Sequence, residues 1–351
     1  MGGEDFMRII SIVNQKGGCG KTSTAINLAA CLAIMGRRVL LLDLDPQAHA
    51  SIGLNIKIDE LEKCIYHALV GGDEVGLEDI SQPISRNLDL VPSHTMLSAL
   101  EQKLALVDRR EDRLRNCIDQ MVQRYHYIII DCPPNIGVLT VNALNACYEV
   151  IVPVEPSVFS LQGLAKLMET INLVERKRNH KIRIKALATI YDARTRFARE
   201  VLENIKQYFK ERVFDTCIRS SVRLREAASY GCPVIVHDKK SAVAEDYMRL
   251  TTEVINEEKA VSVLSGYKEV TLTVEAPTAK IVQIVGDFNN WDMDQNLLIK
   301  NHKGIWDISF QLRSGRYEYK YIIDGKWHID PKNPDTVQNS YGGINSVLEV
   351  E

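Results

Sequence analysis

No apolar run in this chain approaches the roughly 20 residues that a membrane-spanning helix requires. Its first residues, Met1-Gly2-Gly3-Glu4-Asp5, lack the basic and apolar regions of a signal peptide. The cysteines, at 19, 31, 64, 117, 132, 147, 217 and 232, form no C-x-x-C pair, so neither a zinc knuckle nor a dithiol redox motif is indicated. Cys132 follows an acidic strand end, where a cluster ligand or nucleophile is conceivable; a small buried apolar side chain is the simpler reading. No Ser-His-Asp or Cys-His arrangement is legible, and no internal repeat or low-complexity segment interrupts the chain. Together these absences argue against a helical membrane protein and a disulfide-stapled secreted domain, and a reducing cytoplasm is the expected location.

What is present is an ordinary globular composition, 45% hydrophobic and 25% charged. At 351 residues, two domains are expected, each able to bury its own core. The net charge of −3 is unevenly spread: residues 176–225 carry 15 Lys/Arg against 5 Asp/Glu. Such segregation reads as a positive surface or as solvated helix faces.

From about Met7 to Ile255 apolar strands alternate with amphipathic helices. Strands are expected at Arg8–Asn14, Val39–Asp43, Leu88–Pro92, Tyr127–Asp131, Glu149–Pro153, Ile184–Tyr191 and Val234–Val236, with helices at about 22–35, 94–124, 137–145, 160–179, 197–212 and 241–257. This alternation predicts an α/β fold with a doubly wound, mostly parallel sheet, whose ligands sit at the carboxyl ends of the strands. From Tyr267 the chain switches to short alternating strands, Val270–Glu275, Lys280–Asp287, Ile305–Gln311, Tyr317–Ile323 and Ser346–Val350, with turns at Ser314-Gly315 and Asp324-Gly325. That pattern predicts a small all-β, immunoglobulin-like sandwich. The expected boundaries are 7–258 for the first domain, 259–267 for a linker and 268–351 for the second.

The most informative motif is Asn14-Gln15-Lys16-Gly17-Gly18-Cys19-Gly20-Lys21-Thr22-Ser23, between a buried strand and a helix. Strand, glycine-rich turn and helix make a phosphate cradle: backbone amides close around the phosphates and the helix N-terminus adds partial positive charge. Lys16 through Ser23 are thus the expected triphosphate-binding residues, Lys21 neutralising phosphate oxygens and the Thr22 hydroxyl ligating Mg²⁺. The standard G-x-x-x-x-G-K-[ST] pattern needs glycine where Gln15 stands, and a second lysine, Lys16, opens the loop. An exposed loop cation is the plain reading of Lys16; its place beside a triphosphate favours a functional one. The loop resembles that of the deviant Walker A ATPases, the ParA/MinD superfamily. That resemblance implies a P-loop NTPase in which Lys16 crosses an ATP-dependent homodimer interface to the partner's nucleotide.

Asp43-Leu44-Asp45-Pro46-Gln47 ends an apolar strand, with Asp43 and Asp45 on one side of it. Taken alone, the pair reads equally as Mg²⁺- and water-orienting carboxylates or as structural turn aspartates. Resemblance to the Soj-like proteins assigns Asp45 to the attacking water, and also to the metal. Tyr127-Ile128-Ile129-Ile130-Asp131 has Walker B logic, with Asp131 holding Mg²⁺ or, alternatively, capping a helix. The family is a slow, dimerisation-coupled ATP hydrolase.

Within the basic segment, Tyr191-Asp192-Ala193-Arg194-Thr195-Arg196 and Ile218-Arg219-Ser220-Ser221-Val222-Arg223-Leu224 resemble stretches that contact DNA nonspecifically in Soj-like proteins. Arg194, Arg196, Arg219 and Arg223 are the expected DNA-binding residues. Arg219-Ser220 stands where the family often has Pro-Arg. A chain ending in a β domain lacks the terminal amphipathic helix of membrane-attached relatives, so no membrane partner is expected. A nucleoid-associated position in the cytoplasm, and an activating partner protein, follow from the same resemblance.

Gly286-Asp287-Phe288-Asn289-Asn290-Trp291, Tyr317-Glu318-Tyr319-Lys320-Tyr321 and Asn339-Ser340-Tyr341-Gly342-Gly343-Ile344-Asn345 resemble the glycogen-binding domain of the AMP-activated kinase β subunit. Aromatic faces suit the C–H faces of glucose, and amide and ammonium groups suit its hydroxyls. The resemblance implies that Trp291 and Trp327 flank an α-glucan, that Lys320 and Asn345 hydrogen-bond it, and that Tyr341 lies near the sugar ring. The alternatives are aromatics buried as sandwich core, or a related module that contacts protein. The combined expectation is an ATPase that controls dimerisation and DNA binding to position a cargo. A carbohydrate-responsive regulatory ATPase and a non-enzymatic glucan adaptor are the other readings.

Overall fold

A computed structural model describes residues 7–71, 74–121, 125–157, 162–178, 181–257, 267–289, 291–293, 296–301, 304–313, 315–339 and 341–350. The expected linker, apart from Tyr267, lies outside these residues, as do Ser314, Asn290 and Ser340 of the motifs above. The chain divides into two compact units, Met7–Val261 and Ser262–Glu351.

The first unit is built on seven strands: β1 (Arg8–Ile12), β2 (Val39–Asp43), β3 (Gln82–Ser85), β4 (Leu88–Val91), β5 (Tyr127–Asp131), β6 (Glu149–Val154) and β7 (Arg183–Ala188). Their order is β3-β4-β2-β5-β1-β6-β7, parallel except for the β3–β4 pair. Every residue of β1, β2, β5 and β6 is buried. Helices cover both faces of the sheet, so these strands are continuous Val/Ile/Leu runs rather than alternating ones. The edge strand β3 does alternate, and its weak pattern hid it from sequence reading. One face packs against helices that include Val138–Ala146 and Gln162–Arg178; the other packs against Lys21–Ile34 and Ala242–Asn256. Arg8 ties these layers together at the far end of the sheet. Its guanidinium donates twice to Glu149 at 2.7 Å and once to the Val254 carbonyl at 2.5 Å.

Two expectations need correction. Val234–Val236 is not a strand: Val234–His237 forms one helical turn. Pro233 precedes it, and the Val234 N–H donates to the Asn27 side chain at 2.7 Å, so a three-residue apolar run follows its anchoring rather than its β-branching. The single helix expected over 94–124 is broken into Thr95–Ala99, Leu100–Lys103, Arg110–Asp112 and Arg113–Asp119, with 122–124 outside the described residues. Arg109 adopts a left-handed φ of 54° at the break.

The second unit contains β8 (Tyr267–Glu275), β9 (Val282–Gly286), β10 (Ile299–Lys300), β11 (Ile305–Arg313), β12 (Gly315–Ile323), β13 (Lys326–His328), β14 (Thr336–Gln338) and β15 (Ile344–Val350). One sheet runs β10-β11-β8; the other runs β13-β12-β15-β14, with β9 also on β12, and all its pairs are antiparallel. Their shared core includes Val274, Ile284, Phe288, Trp306, Tyr319 and Tyr321. Alternation along β12 buries Tyr319 and Tyr321 and turns Glu318 and Lys320 to the opposite face. Of three tryptophans, Trp306 alone is core, its indole N–H donating to the Ala276 carbonyl at 2.8 Å.

Candidate functional site

The phosphate-type loop leaves the carboxyl end of β1 and enters the helix Lys21–Ile34. Gly18 and Gly20 have φ of 72° and 88°, a backbone shape that disfavours other residues. A Cβ added at Gly17 or Gly18 would meet nothing within 4 Å, so the loop encloses open space. The helix has no side-chain N-cap, which leaves its first amides available to an anion. From outside, the Thr189 hydroxyl holds the Cys19 carbonyl at 2.7 Å and the Asn14 amide holds the Pro153 carbonyl at 2.6 Å. Cys19 packs as an apolar plug, its thiol pushed up by burial.

Lys21 is buried, and its ammonium reaches the Lys16 carbonyl at 3.0 Å. The Lys16 ammonium is held within its own chain, ion-paired with Glu155 and hydrogen-bonded to the Ser157 hydroxyl at 2.9 Å. Glu155 and Ser157 follow β6, and no motif pointed to them; only the adjacency of β1 and β6 brings them to Lys16.

The acids arrive on neighbouring strands. Asp43 and Asp131 are opposite each other in the β2–β5 register, and Ile12 at the end of β1 is opposite Asp131. Asp43 accepts from the Ser51 amide at 2.8 Å, the Ser51 hydroxyl at 2.7 Å and the Asp45 amide at 3.1 Å. Its role is structural as well as electrostatic, because it fixes the loop that carries Asp45. Asp45 is fixed further by the Ser93 hydroxyl on its carbonyl at 2.7 Å, while its carboxylate takes the Gln47 amide at 2.9 Å. Burial pushes the Asp43 carboxyl up to about 6, with Asp45 adding to the effect. Burial and the neighbouring Asp43 push Asp131 well above the usual carboxylate range, opposed by the Thr22 hydroxyl and Lys21. Both Asp131 oxygens are buried without a hydrogen-bond donor. No set of three protein ligands is gathered here among the described residues; a dry carboxylate beside a threonine hydroxyl and a phosphate-type loop instead fits a hard divalent cation whose other ligands are phosphate oxygens and water. Cys132 beside it is fully buried with its thiol pushed up, as an inert core residue would be.

The four expected DNA-binding arginines all carry acidic partners. Arg194 pairs with Asp192, Arg196 with Glu200, Arg223 with Glu226, and Arg219 makes two 2.7 Å bonds to the buried Asp246. Arg194 and Arg219 line one open groove of about 1090 Å³, together with Arg249, which shares Asp246. Arg249 lies outside the basic segment. Arg196 and Arg223 do not line this groove.

In the second unit the structure gathers all five expected sugar residues. Trp291, Lys320, Trp327, Tyr341 and Asn345 line a single cavity of about 720 Å³. The indoles lie 6.4 Å apart at 31°, and Trp327 and Tyr341 are 50% and 96% exposed, which rules out a core role for them. Asp287, Glu318, Gln338 and Asn339 complete the lining and were not anticipated as site residues. Asp287 orients Trp291 by accepting its indole N–H at 3.1 Å. Gly286 is required where β9 pairs with β12, since a Cβ there would lie 2.4 Å from the Glu318 carbonyl.

Residues 7–184 match the family model described as an AAA domain, and residues 270–351 match the glycogen recognition site of AMP-activated protein kinase. The chain is similar to the sporulation initiation inhibitor protein Soj of Bacillus subtilis, 44% identical over 248 residues that cover 70% of this chain and 98% of that protein. It is also similar to the chromosome partitioning protein ParA of Myxococcus xanthus, 43% identical over 250 residues, covering 71% and 88%. Among solved structures, cobyrinic acid a,c-diamide synthase of Mycobacterium smegmatis with a bound ATP analog and magnesium aligns with a TM-score of 0.64 and 29% identity, covering 72% of this chain and 96% of that one.

Proposed function

Because the chain belongs to the ParA/Soj family of P-loop partitioning ATPases and ends in a glycogen-recognition domain, we propose that it is an ATP-switched positioning protein whose cargo is an α-glucan. ATP and Mg²⁺ are its cofactors. The loop amides from Gly17 to Lys21 and the Lys21 ammonium would cradle the phosphates, and Thr22 with Asp131 would hold the cation, satisfying the orphaned Asp131 oxygens. Bound Mg²⁺ supplies charge neutralisation on the phosphates. Asp45, held through its amide, carbonyl and carboxylate, would orient the attacking water. Lys16 would leave Glu155 and Ser157 for the partner's nucleotide, so that two triphosphates close a homodimer. Slow hydrolysis would time its separation, and a partner protein would accelerate it.

The groove that holds Arg194, Arg219 and Arg249 supports nonspecific DNA binding, with phosphates displacing the internal carboxylates. The observation that carries the cargo reading is the convergence of Trp291, Lys320, Trp327, Tyr341 and Asn345 on one exposed cavity. The ring faces suit glucose C–H faces, while Lys320 and Asn345 suit its hydroxyls. The test is retention of glycogen on DNA-coated beads by the full chain. Retention should need Mg²⁺-ATP and disappear in Trp327→Ala. If the protein binds the beads but glycogen passes through, the cargo reading fails.

A further inference from the structure

Beneath the glucan cavity runs a chain of amides whose two ends have opposite hydrogen-bonding character. At one end the backbone N–H groups of Tyr341 and Gly343 donate to Asn339 Oδ1 at 3.1 and 2.9 Å. Asn339 Nδ2 donates to Asn345 Oδ1 at 2.9 Å, and Asn345 Nδ2 donates to Glu318 Oε2 at 2.8 Å. A backbone N–H only donates and a carboxylate only accepts, so both intervening amides have one permitted orientation. Asn345 is 3% exposed, and reversing it would face oxygen against oxygen and N–H against N–H in a dry site. The backbone N–H of Asn339 also donates to the Gly343 carbonyl at 2.9 Å, and with Asn339 Oδ1 on the Tyr341 N–H it helps present Tyr341. The far side is anchored too: the Glu318 amide donates to Asp287 at 2.7 Å, and Asp287 holds the Trp291 indole.

We propose that Glu318 and Asn339 are positioning residues for sugar recognition, and that their fixed polarity decides which face of Asn345 reads the glucan hydroxyls. This rests on the glucan reading above. With one Nδ2 hydrogen and one Oδ1 lone pair committed internally, Asn345 offers the other hydrogen and the other lone pair in a set arrangement. That pair is complementary to two neighbouring hydroxyls of an uncharged glucose unit, one accepting and one donating. Neither residue has to touch the sugar for this.

Exchange of the chain's polarity tests the idea. Asn339→Asp keeps shape and still accepts from Tyr341 and Gly343, but sets an acceptor against Asn345 Oδ1. Asn345 cannot turn, because Glu318 only accepts. In the double variant E318Q/N339D, the amide introduced by E318Q can donate to Asn345. Asn345 then reverses and donates to the carboxylate introduced by N339D, so the bonds return with opposite polarity. Titration of the full chain with maltoheptaose should show Asn339→Asp weakened about tenfold or more, together with a lower Tm. The double variant should regain Tm while its affinity stays low, and Glu318→Gln alone, which can still accept from Asn345, should lose less affinity than Asn339→Asp. Wild-type affinity in Asn339→Asp, recovery of affinity with Tm in the double variant, or a loss in Glu318→Gln as large as that in Asn339→Asp would each overturn the proposal. A parent chain that gives no maltoheptaose binding overturns the glucan reading itself.

Discussion

Replacing Asp131 by asparagine should stabilise the nucleotide-free protein and at the same time remove its response to Mg²⁺-ATP. Asp43 sets the scale of the first effect, because its carboxyl is pushed from 3.8 up to about 6. At about 1.4 kcal/mol per unit, that is about 3 kcal/mol of stability missing at neutral pH. Asp131 sits in the same acid cluster and is pushed well above the usual carboxylate range by burial and by Asp43, so its ionised form is opposed too. An asparagine amide there is still unpaired, at a cost of about 1–3 kcal/mol, so on the Asp43 scale the net gain should be about 1 kcal/mol. For a unit of this size that is a rise in Tm of roughly 2–4 °C.

The sign of the pH dependence follows from the same shift. Both carboxyls keep their protons in the fold to higher pH than in the unfolded chain, so stability is lost as pH rises from about 4 through 6 and beyond. Thermal melts in EDTA across that range should slope downward for the parent and less steeply for Asp131→Asn. Adding Mg²⁺-ATP at about a hundredfold over its Kd should stabilise the parent by about 2.7 kcal/mol and the variant far less. A variant that melts lower than the parent without nucleotide, or that gains equally from Mg²⁺-ATP, would refute the assignment of Asp131 as a buried carboxylate awaiting a cation.

Lys16→Ala should bind ATP but show no ATP-dependent dimer by light scattering, because the proposed dimer needs the Lys16 ammonium to exchange Glu155 for the partner's nucleotide. Asp45→Ala should retain ATP in equilibrium binding while turnover falls about a hundredfold or more, as expected when a positioned polar group is removed; unchanged turnover would place the water elsewhere. Arg194→Ala should weaken DNA binding uniformly across sequences and reduce the salt slope by about 0.9. It should leave Tm unchanged, since its pair with Asp192 is exposed. Arg219→Ala should instead lower Tm as well, because it strips a bidentate partner from the fully buried Asp246.

Local pattern carried much of this protein. The buried runs ending in Asp43 and Asp131, and the glycine loop after Val13, mark strand ends and a phosphate cradle without reference to any distant residue. The sandwich was legible because β12 alternates, with tyrosines inward and Glu318 and Lys320 outward. Where the signal was short or conflicted, it misled: Val234–Val236 has strand residues but is held as a helical turn by Asn27, over two hundred positions away.

The chain itself therefore determined which groups are available for phosphate, cation and sugar, because those identities lie in contiguous motifs with their own backbone requirements. Only the tertiary structure decided how the groups are held. The packing of strands, loops and helices placed Glu155 and Ser157 on Lys16, Ser93 on Asp45, Asp246 on Arg219, and Glu318 on Asn345. The physical reason is that hydrogen bonds and burial depend on distance in space, and most of these partners are separated along the chain by tens of residues or more.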